Sequence, residues 1–265
     1  MLLFDLYIYS VIFILGTVIG SFLNVCIYRI PEKLSIVKPR SRCGHCGTSL
    51  KPIDLIPILS WLFLKGKCRY CGAKVSVRYF LVELLEGLLF VLVYTFFGYS
   101  WMTPIMWVFF AFLTVVLFID LDHKIIPNKL VVFGCVIGVM PVAYHYLGVY
   151  PLYYSHNFIE PFVSMLIPPV LMLFMSFLSL ILFKKSGMGM GDVKIYLPIG
   201  LFLGWQLALM SIWFAFFIGG LFGLIWIFIL RKSKTDMIPF APFIVIGTMV
   251  SVLLGKGIYS WLLMV

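Results

Sequence analysis

The chain has 265 residues, of which 63% are hydrophobic and only 11% are charged, and its mean hydropathy is +1.12. This composition excludes a soluble globular domain. The net charge of +10 would suit a nucleic-acid ligand, but the basic residues lie in short polar segments between apolar runs. We therefore predict an all-α polytopic protein in a lipid bilayer, with about eight transmembrane helices and no nucleic-acid partner.

The distribution of charge predicts the topology. Eleven of the twenty Lys and Arg residues lie between Arg29 and Arg78, where the only acids are Glu32 and Asp54. Lys and Arg beside membrane spans mark the cytoplasmic side. The first apolar run has Asp5 and no basic residue before it, so we expect a retained helix rather than a cleaved signal, with both chain termini outside.

The first helix is predicted over residues 6–28, and it ends in a patch of small and polar residues. This patch belongs to the sequence GSFLNVCIYRIP at 20–31. Such residues allow a neighbouring helix to approach closely. A direct role in the site is the alternative, and the sequence leaves both readings open.

The polar segment that follows contains two CxxC motifs with 21 residues between them. Thiolates at this spacing predict a structural, tetrahedral zinc site formed by Cys43, Cys46, Cys68 and Cys71. Redox or disulfide-forming pairs are the alternative, but the cytoplasm keeps thiols reduced. We expect Gly44, Gly47 and Gly72 to permit the tight turns, and His45 to be a turn residue rather than a ligand. Cys26 and Cys135 lie within predicted spans as packing residues.

Seven further apolar segments complete the predicted bundle. Glu83 and Glu86 lie near the start of the second span of the chain, residues 80–97. They either lie at the interface in a first helical turn or line a polar cavity, and the sequence does not decide between these two roles. Prolines 161, 168 and 169 are expected to interrupt the fifth span. The predicted spans are residues 80–97, 104–119, 130–146, 158–183, two helices within 195–230 that separate near Gly204, and a last helix that opens at 238–243.

Carboxylates follow or precede two of these apolar runs. Asp120 and Asp122 come after the third span, and Asp192 lies in GMGMGDVK at 187–194. An ionisable group at a bilayer boundary is functional by default. Two carboxyl groups that meet there would share one proton, and the ionised member could activate a water molecule as a general base. Singly, Asp192 could instead be a helix N-cap, and Asp120 or Asp122 an interfacial acid.

Three glycines precede Asp192 at positions 187, 189 and 191. We expect them to bend the backbone, to adopt positive φ angles and to let another segment approach closely. Such a turn would give an extended peptide access to the carboxylates.

Six sequence pieces together resemble the type IV prepilin peptidases, which are GxGD-type membrane aspartic proteases. The pieces, in this order, are GSFLNVCIYRIP, the paired CxxC motifs, RYFLVELLEG at 78–87, FIDLDHKIIPN at 118–128, GMGDVK at 189–194 and IPFAPF at 238–243. The resemblance implies Asp120, seven residues before Pro127, as the first catalytic acid, with Asp122 as the second choice, and Asp192 as the other acid. Ala241 stands where the family often has Gly.

The same resemblance implies an activity. Such enzymes of the bacterial inner membrane cut the basic leader from prepilins or pseudopilins on the cytoplasmic side, after a Gly. Many then methylate the new N-terminal amine with S-adenosylmethionine, and the tetracysteine insert is characteristic of these bifunctional members. The expected organisation is a first transmembrane helix at 1–28, a cytoplasmic zinc domain at 29–79 and a seven-helix peptidase core at 80–265. The sequence locates neither the methyl-donor site nor the oligomeric state.

Two other classes of protein would also account for part of these features. A proton- or cation-coupled transporter could use Asp120 and Asp192, since acids within membranes often couple ions. Transporters place such acids near the bilayer midplane, whereas these two are predicted at its cytoplasmic edge. A partner-binding tetracysteine module on a membrane anchor is the third reading, and it leaves the glycine-rich turn before Asp192 unexplained.

Overall fold

The structure is a computed structural model that describes residues 2–148, 151–153, 157–184, 189–228 and 239–263. The described residues contain helices and no β-strand beyond two isolated bridges. The chain divides into two compact units, residues 1–118 and 119–265, and each is described by itself. The all-α prediction is therefore confirmed.

Ten α-helices and one short 3₁₀ helix account for most of the described chain. The 3₁₀ helix covers Pro52–Leu55. The α-helices are α1 (Leu2–Arg29), α2 (Leu59–Phe63), α3 (Val77–Phe97), α4 (Met102–His123), α5 (Asn128–Ile137), α6 (Val139–Tyr146), α7 (Glu160–Phe183), α8 (Met190–Leu203), α9 (Trp205–Phe228) and α10 (Ala241–Leu263).

Among the described residues, six helical segments are long and apolar enough to cross a membrane. Five of them are α1, α3, α4, α7 and α9. The sixth is Asn128–Tyr146, which combines α5 and α6. A shorter apolar segment, Ala241–Gly255 of α10, brings the number among the described residues close to the predicted eight. The predicted break near Gly204 is also observed, because α8 ends one residue before it and Gly204 has a φ of +80°.

Several helix boundaries differ from the predicted ones. Helix α4 continues through Asp120, and α8 begins at Met190 instead of residue 195. The predicted fourth span is divided at Gly138 into α5 and α6. Prolines 168 and 169 lie inside an unbroken α7, because a membrane helix can tolerate proline when neighbouring groups satisfy the freed backbone atoms.

Some predicted features lie outside the described residues. They include Gly187, the basic residues at 185 and 231–234, and Ile238 of the IPFAPF piece.

In the N-terminal unit, small residues let α1 and α3 pack closely. A Cβ atom added at Gly16 would lie 2.7 Å from the backbone oxygen of Glu86, and one added at Gly20 would lie 2.9 Å from the Cα of Glu83. Asn24, from the same patch, donates from Nδ2 to the backbone oxygen of Tyr79 at 3.1 Å. The structure thus favours helix packing as the role of the patch at 20–31.

The two glutamates of α3 are buried rather than interfacial. Helix α3 begins after its N-cap residue Ser76, so neither Glu83 nor Glu86 lies in its first turn. Glu83 accepts from the backbone N–H of Ile58 at 2.7 Å, and Glu86 accepts from the Thr114 hydroxyl at 2.9 Å. The reading as interfacial charges in a first turn is therefore wrong, because the helix starts earlier than the apolar pattern indicated.

In the second unit, α8 is the most enclosed helix. Ile195, Tyr196, Ile199 and Phe202 are fully buried, and α8 contacts α5, α6, α7, α9 and α10. Gly200 allows the approach of α7, because an added Cβ would overlap the backbone oxygen of Ser164. The unit is thus organised around α8, whose first turn carries Asp192.

The contact between α1 and α3 can be tested with Gly16→Leu. The larger side chain would force the two helices apart, because the added Cβ meets backbone rather than a movable side-chain tip. Overpacking of this kind costs about 1–3 kcal/mol. We expect a lower melting temperature for the detergent-solubilised variant, measured by the intrinsic fluorescence change on heating.

Gly220→Leu is the matched control for this change. Gly220 lies in α9, and a Cβ added there would meet nothing within 4 Å. We expect the melting temperature of this variant to stay near that of the parent protein. Equal melting temperatures for Gly16→Leu and the parent would contradict the close packing of α1 on α3.

Candidate active site and metal centre

Asp120 lies in the last turn of α4 and is only 5% exposed. Its Oδ2 atom accepts a hydrogen bond of 3.1 Å from the backbone N–H of Ala241, the first residue of α10. The first N–H groups of a helix have no partner within that helix, so they can bind an anionic side chain. Helix α10 therefore orients the Asp120 carboxyl group.

Asp192 is the third residue of α8 and is 8% exposed. Its Oδ2 atom accepts a hydrogen bond of 3.2 Å from the backbone N–H of Gly189. Gly189 is thus the N-cap residue, and the predicted alternative of Asp192 as the N-cap is wrong by three positions. Burial, followed by the negative charge of Asp120, raises the pKa of Asp192 from 3.8 to about 6.

Asp120 and Asp192 line the same cavity, which has a volume of about 280 Å³. Its lining comprises Asp120, Lys124, Ile125, Ile126, Gly189, Met190, Gly191 and Asp192. Asp122 is exposed and is not part of this lining. Two acids that are 72 positions apart in the chain therefore face one space, whereas the neighbouring carboxylate of Asp122 does not.

One glycine of the GxGD piece permits a close contact beside the two acids. A Cβ atom added at Gly191 would lie 3.1 Å from the Cβ of Ile126. The expected close approach is observed, but neither Gly189 nor Gly191 has a positive φ. The segment at 124–128 is also linked to α8 by Lys194, whose Nζ donates to Oδ1 of Asn128 at 3.2 Å.

Sequence reasoning missed two contacts near these acids. The backbone N–H of Ala241 and the pair of Lys194 with Asn128 were not singled out. The only sequence signal was their position in the IPFAPF, GMGDVK and FIDLDHKIIPN pieces. Because the donor at position 241 is a backbone N–H, an Ala there can serve as well as the Gly that the resembling family often has.

The N-terminal unit brings the four predicted zinc ligands together. The Sγ atoms of Cys43, Cys46, Cys68 and Cys71 all lie within 4.8 Å of one another. Sγ of Cys43 is 3.9 Å from Sγ of Cys71, well beyond disulfide bond length, and all four cysteines are free thiols. The cluster contains no histidine, in agreement with the predicted role of His45.

Two similar turns present these thiols. The backbone N–H groups of Gly47 and Gly72 donate to the carbonyls of Cys43 and Cys68, four positions earlier, each at 2.9 Å. Gly47 and Gly72 both have a φ of +70°, a conformation that glycine adopts without strain. Gly44 also lies in its turn, as expected, but without a positive φ.

The chemistry of this donor set fits a metal ion. Four thiolates converging within a few ångströms match the ligand set of a structural tetrahedral site. Hydrogen bonds with Thr48 lower the pKa of Cys46 to about 6, and the bond to its side chain contributes more than the bond to its backbone. The lowered pKa favours the thiolate form that binds metal. The cluster can therefore hold one metal ion.

Comparison with protein families gives two matches along the chain. Residues 14–97 match the bacterial peptidase A24 N-terminal domain, and residues 107–224 match the type IV leader peptidase family. The tetracysteine cluster lies within the first matched region, and both Asp120 and Asp192 lie within the second. No solved structure matches the chain.

Curated relatives match nearly the whole chain. A prepilin leader peptidase/N-methyltransferase of Bacillus subtilis is 33% identical over 256 residues, covering 95% of this chain and 96% of the relative. One from Aeromonas salmonicida is 30% identical and covers 96% and 94%. A leader peptide-processing enzyme for type 4 prepilin-like proteins from Escherichia coli is 33% identical and covers 90% and 91%.

These matches do not support the transporter reading of the two acids. They agree with the resemblance drawn from the six sequence pieces, and they extend over both compact units. The chain therefore belongs to the type IV leader peptidase family, alongside the prepilin leader peptidase/N-methyltransferases.

Proposed function

We propose that this chain is a membrane aspartic endopeptidase that removes the basic leader from prepilins or pseudopilins and methylates the new N-terminal residue. Cleavage takes place after a Gly, on the cytoplasmic side of the bacterial inner membrane. The observation that carries this proposal is the single cavity lined by both Asp120 and Asp192. The names of the relatives supply the substrate class and the two activities.

Asp120 and Asp192 act as a pair that shares one proton. Two adjacent carboxyl groups cannot both ionise easily, and the raised pKa of Asp192 agrees with such sharing. The ionised member takes a proton from water as that water attacks the scissile carbonyl carbon. The protonated member donates a hydrogen bond to the carbonyl oxygen, where negative charge develops.

Backbone hydrogen bonds fix the orientation of each acid in this mechanism. Oδ2 of Asp120 is held by the N–H of Ala241, and Oδ2 of Asp192 by the N–H of Gly189. One oxygen of each carboxyl group is thereby positioned, which leaves the other available to water and substrate. Asp122 has no catalytic role in this scheme, since it does not line the cavity.

The substrate class suits a site at the end of membrane helices. A prepilin has a basic leader followed by a long apolar segment, and that segment would lie among the spans with its junction at the level of the acids. The cytoplasmic placement of the junction rests on the Lys and Arg residues beside the spans. We assign residues 1–28 to a first transmembrane helix, 29–79 to the zinc domain and 80–265 to the peptidase core.

S-adenosylmethionine is proposed as the methyl donor on the basis of the family relationship alone. The sequence contains no glycine-rich nucleotide loop or acidic ribose-binding signature that identifies its site. The described residues therefore do not define a fit for this cofactor, and no step of the mechanism is derived through it.

The tetracysteine cluster holds a structural zinc ion in this proposal. Four thiolate ligands complete the tetrahedron and leave no position for a reactive water molecule. A segment of about fifty residues builds little hydrophobic core, so the metal supplies the cross-link that holds the two CxxC turns together.

Replacing either acid by its amide tests the catalytic pair. Asp120→Asn and Asp192→Asn each remove a carboxyl group that must exchange a proton, so we expect cleavage to slow by at least about 100-fold. The measurement follows the loss of the leader from a purified prepilin by the enzyme in detergent. Methylation of pre-cleaved pilin is measured in parallel and should be less affected, because it does not need the hydrolytic pair.

Asp122→Asn is the matched comparison, since it makes the same chemical change two positions away on an exposed side chain. We expect this variant to cleave at close to the parent rate. Normal cleavage by Asp120→Asn or Asp192→Asn would remove that residue from the catalytic pair. Loss of activity in Asp122→Asn alone would transfer the role of Asp120 to Asp122.

Elemental analysis tests the metal site. A purified preparation should contain about one zinc ion per chain, because one tetrathiolate cluster is present among the described residues. Cys43→Ser should lower this content strongly and make residues 30–76 more sensitive to proteolysis.

Cys135→Ser controls for the general effect of replacing a cysteine. Cys135 lies in α5 and is not part of the cluster, so its replacement should leave the zinc content unchanged. A fresh parent preparation with much less than one zinc ion per chain would refute the metal assignment.

A further inference from the structure

Besides the cavity at Asp120 and Asp192 in the second unit, the protein has a groove of about 410 Å³ in its N-terminal unit, and the peptidase mechanism does not use this groove. It lies between the end of α1 and the loop that follows. Its walls are mostly apolar, with two arginines among them. The residues that matter here are Phe22, Val25, Arg29, Val37 and Arg40.

One wall of the groove is a stripe along α1. Phe22, Val25 and Arg29 are spaced at positions i, i+3 and i+7, which places them on one face of the helix. The stripe is about 10 Å long. It begins with apolar side chains inside the span and ends with a guanidinium group at the last residue of the helix. An apolar surface thus leads directly to a positive charge at the predicted membrane boundary.

Both arginines can bind an anion. Arg29 donates from Nη1 to the backbone oxygen of Ser35 and from Nη2 to that of Pro39, each at 2.8 Å. Because a guanidinium group has five N–H donors, these two bonds fix it in place and leave three donors for another acceptor. Arg40 is exposed, and the structure gives its side chain no polar partner within the described residues.

The surrounding segment is strongly positive. It carries eleven basic residues between Arg29 and Arg78 against only two acids. One of these acids, Asp54, is already engaged by Arg69 at 2.6 Å and by the Tyr70 hydroxyl at 2.8 Å. The positive charge near the groove is therefore largely unbalanced by the protein itself.

This combination selects one kind of occupant. An anionic phospholipid has a phosphate group directly above apolar chains, which is the order in which the groove presents Arg29 and then Val25 and Phe22. The basic leader of a prepilin would be repelled by the same charges. Basic pockets at the membrane surface are typical binding sites for anionic headgroups.

We propose that this groove binds one anionic phospholipid, with its phosphate between Arg29 and Arg40 and its upper acyl chains against Val25 and Phe22. The bound lipid fixes the position of the loop after α1 at the membrane surface. The proposal depends on the membrane placement of α1 and not on the peptidase activity.

Titration of delipidated, detergent-solubilised protein with phosphatidylglycerol tests this proposal by native mass spectrometry. Arg40→Gln should weaken binding about fivefold, which corresponds to the contribution of one basic residue near an anionic surface. Val25→Trp should also weaken it, by filling the groove with no change in charge. Phosphatidylcholine should bind more weakly than phosphatidylglycerol, and free glycerol phosphate should not displace the bound lipid.

Arg42→Gln is the matched control, because Arg42 is an exposed arginine of the same segment that does not line the groove. It should bind phosphatidylglycerol within twofold of the parent. Equal weakening by Arg40→Gln and Arg42→Gln would mean general attraction to the charged segment and would overturn the site. Equal binding of the two lipids, normal binding by Val25→Trp, or displacement by glycerol phosphate would also overturn it.

Discussion

Two carboxyl groups that line one cavity are the constraint on which the second unit depends. Burial disfavours the charged form of an acid, and a second acid nearby adds to the cost. The chain offsets this with backbone N–H groups at two helix starts, from Ala241 for Asp120 and from Gly189 for Asp192. These bonds stabilise the carboxylates without supplying a full opposing charge, so the pKa of Asp192 stays raised, to about 6.

Close backbone approach explains why small residues accompany the functional ones. Gly191 lets the segment around Ile126 come close enough for residues from both sides to line one cavity. The pair of Lys194 with Asn128 links the same two segments a little further along. In the N-terminal unit, Gly16 and Gly20 do the same for α1 and α3. Membrane helices have little hydrophobic force to bring them together, so close contact at small residues supplies much of their association.

The N-terminal unit joins the tetracysteine segment to a membrane helix through a buried carboxylate. Glu83 in α3 accepts from the N–H of Ile58, a residue whose φ of +62° is unusual for a β-branched side chain. The bond thus fixes a strained turn between the two CxxC motifs. With the four cysteines converging from both turns and α3 holding the strained residue, a segment with little core of its own is attached to the membrane part of its unit.

The sequence by itself determined the helical membrane class, the approximate number of spans, the tetracysteine cluster and the family. These depend on local composition and spacing, which survive without knowledge of the fold. The resemblance ranked Asp120 before Asp122, and the tertiary structure added that Asp120, unlike Asp122, lines one cavity with Asp192, because the two occupy different sides of a helix end. The tertiary structure also showed that Glu86 is buried. It showed that the backbone N–H of Ala241 binds Asp120, 121 positions away, which the sequence could not predict because every residue except proline has such a donor.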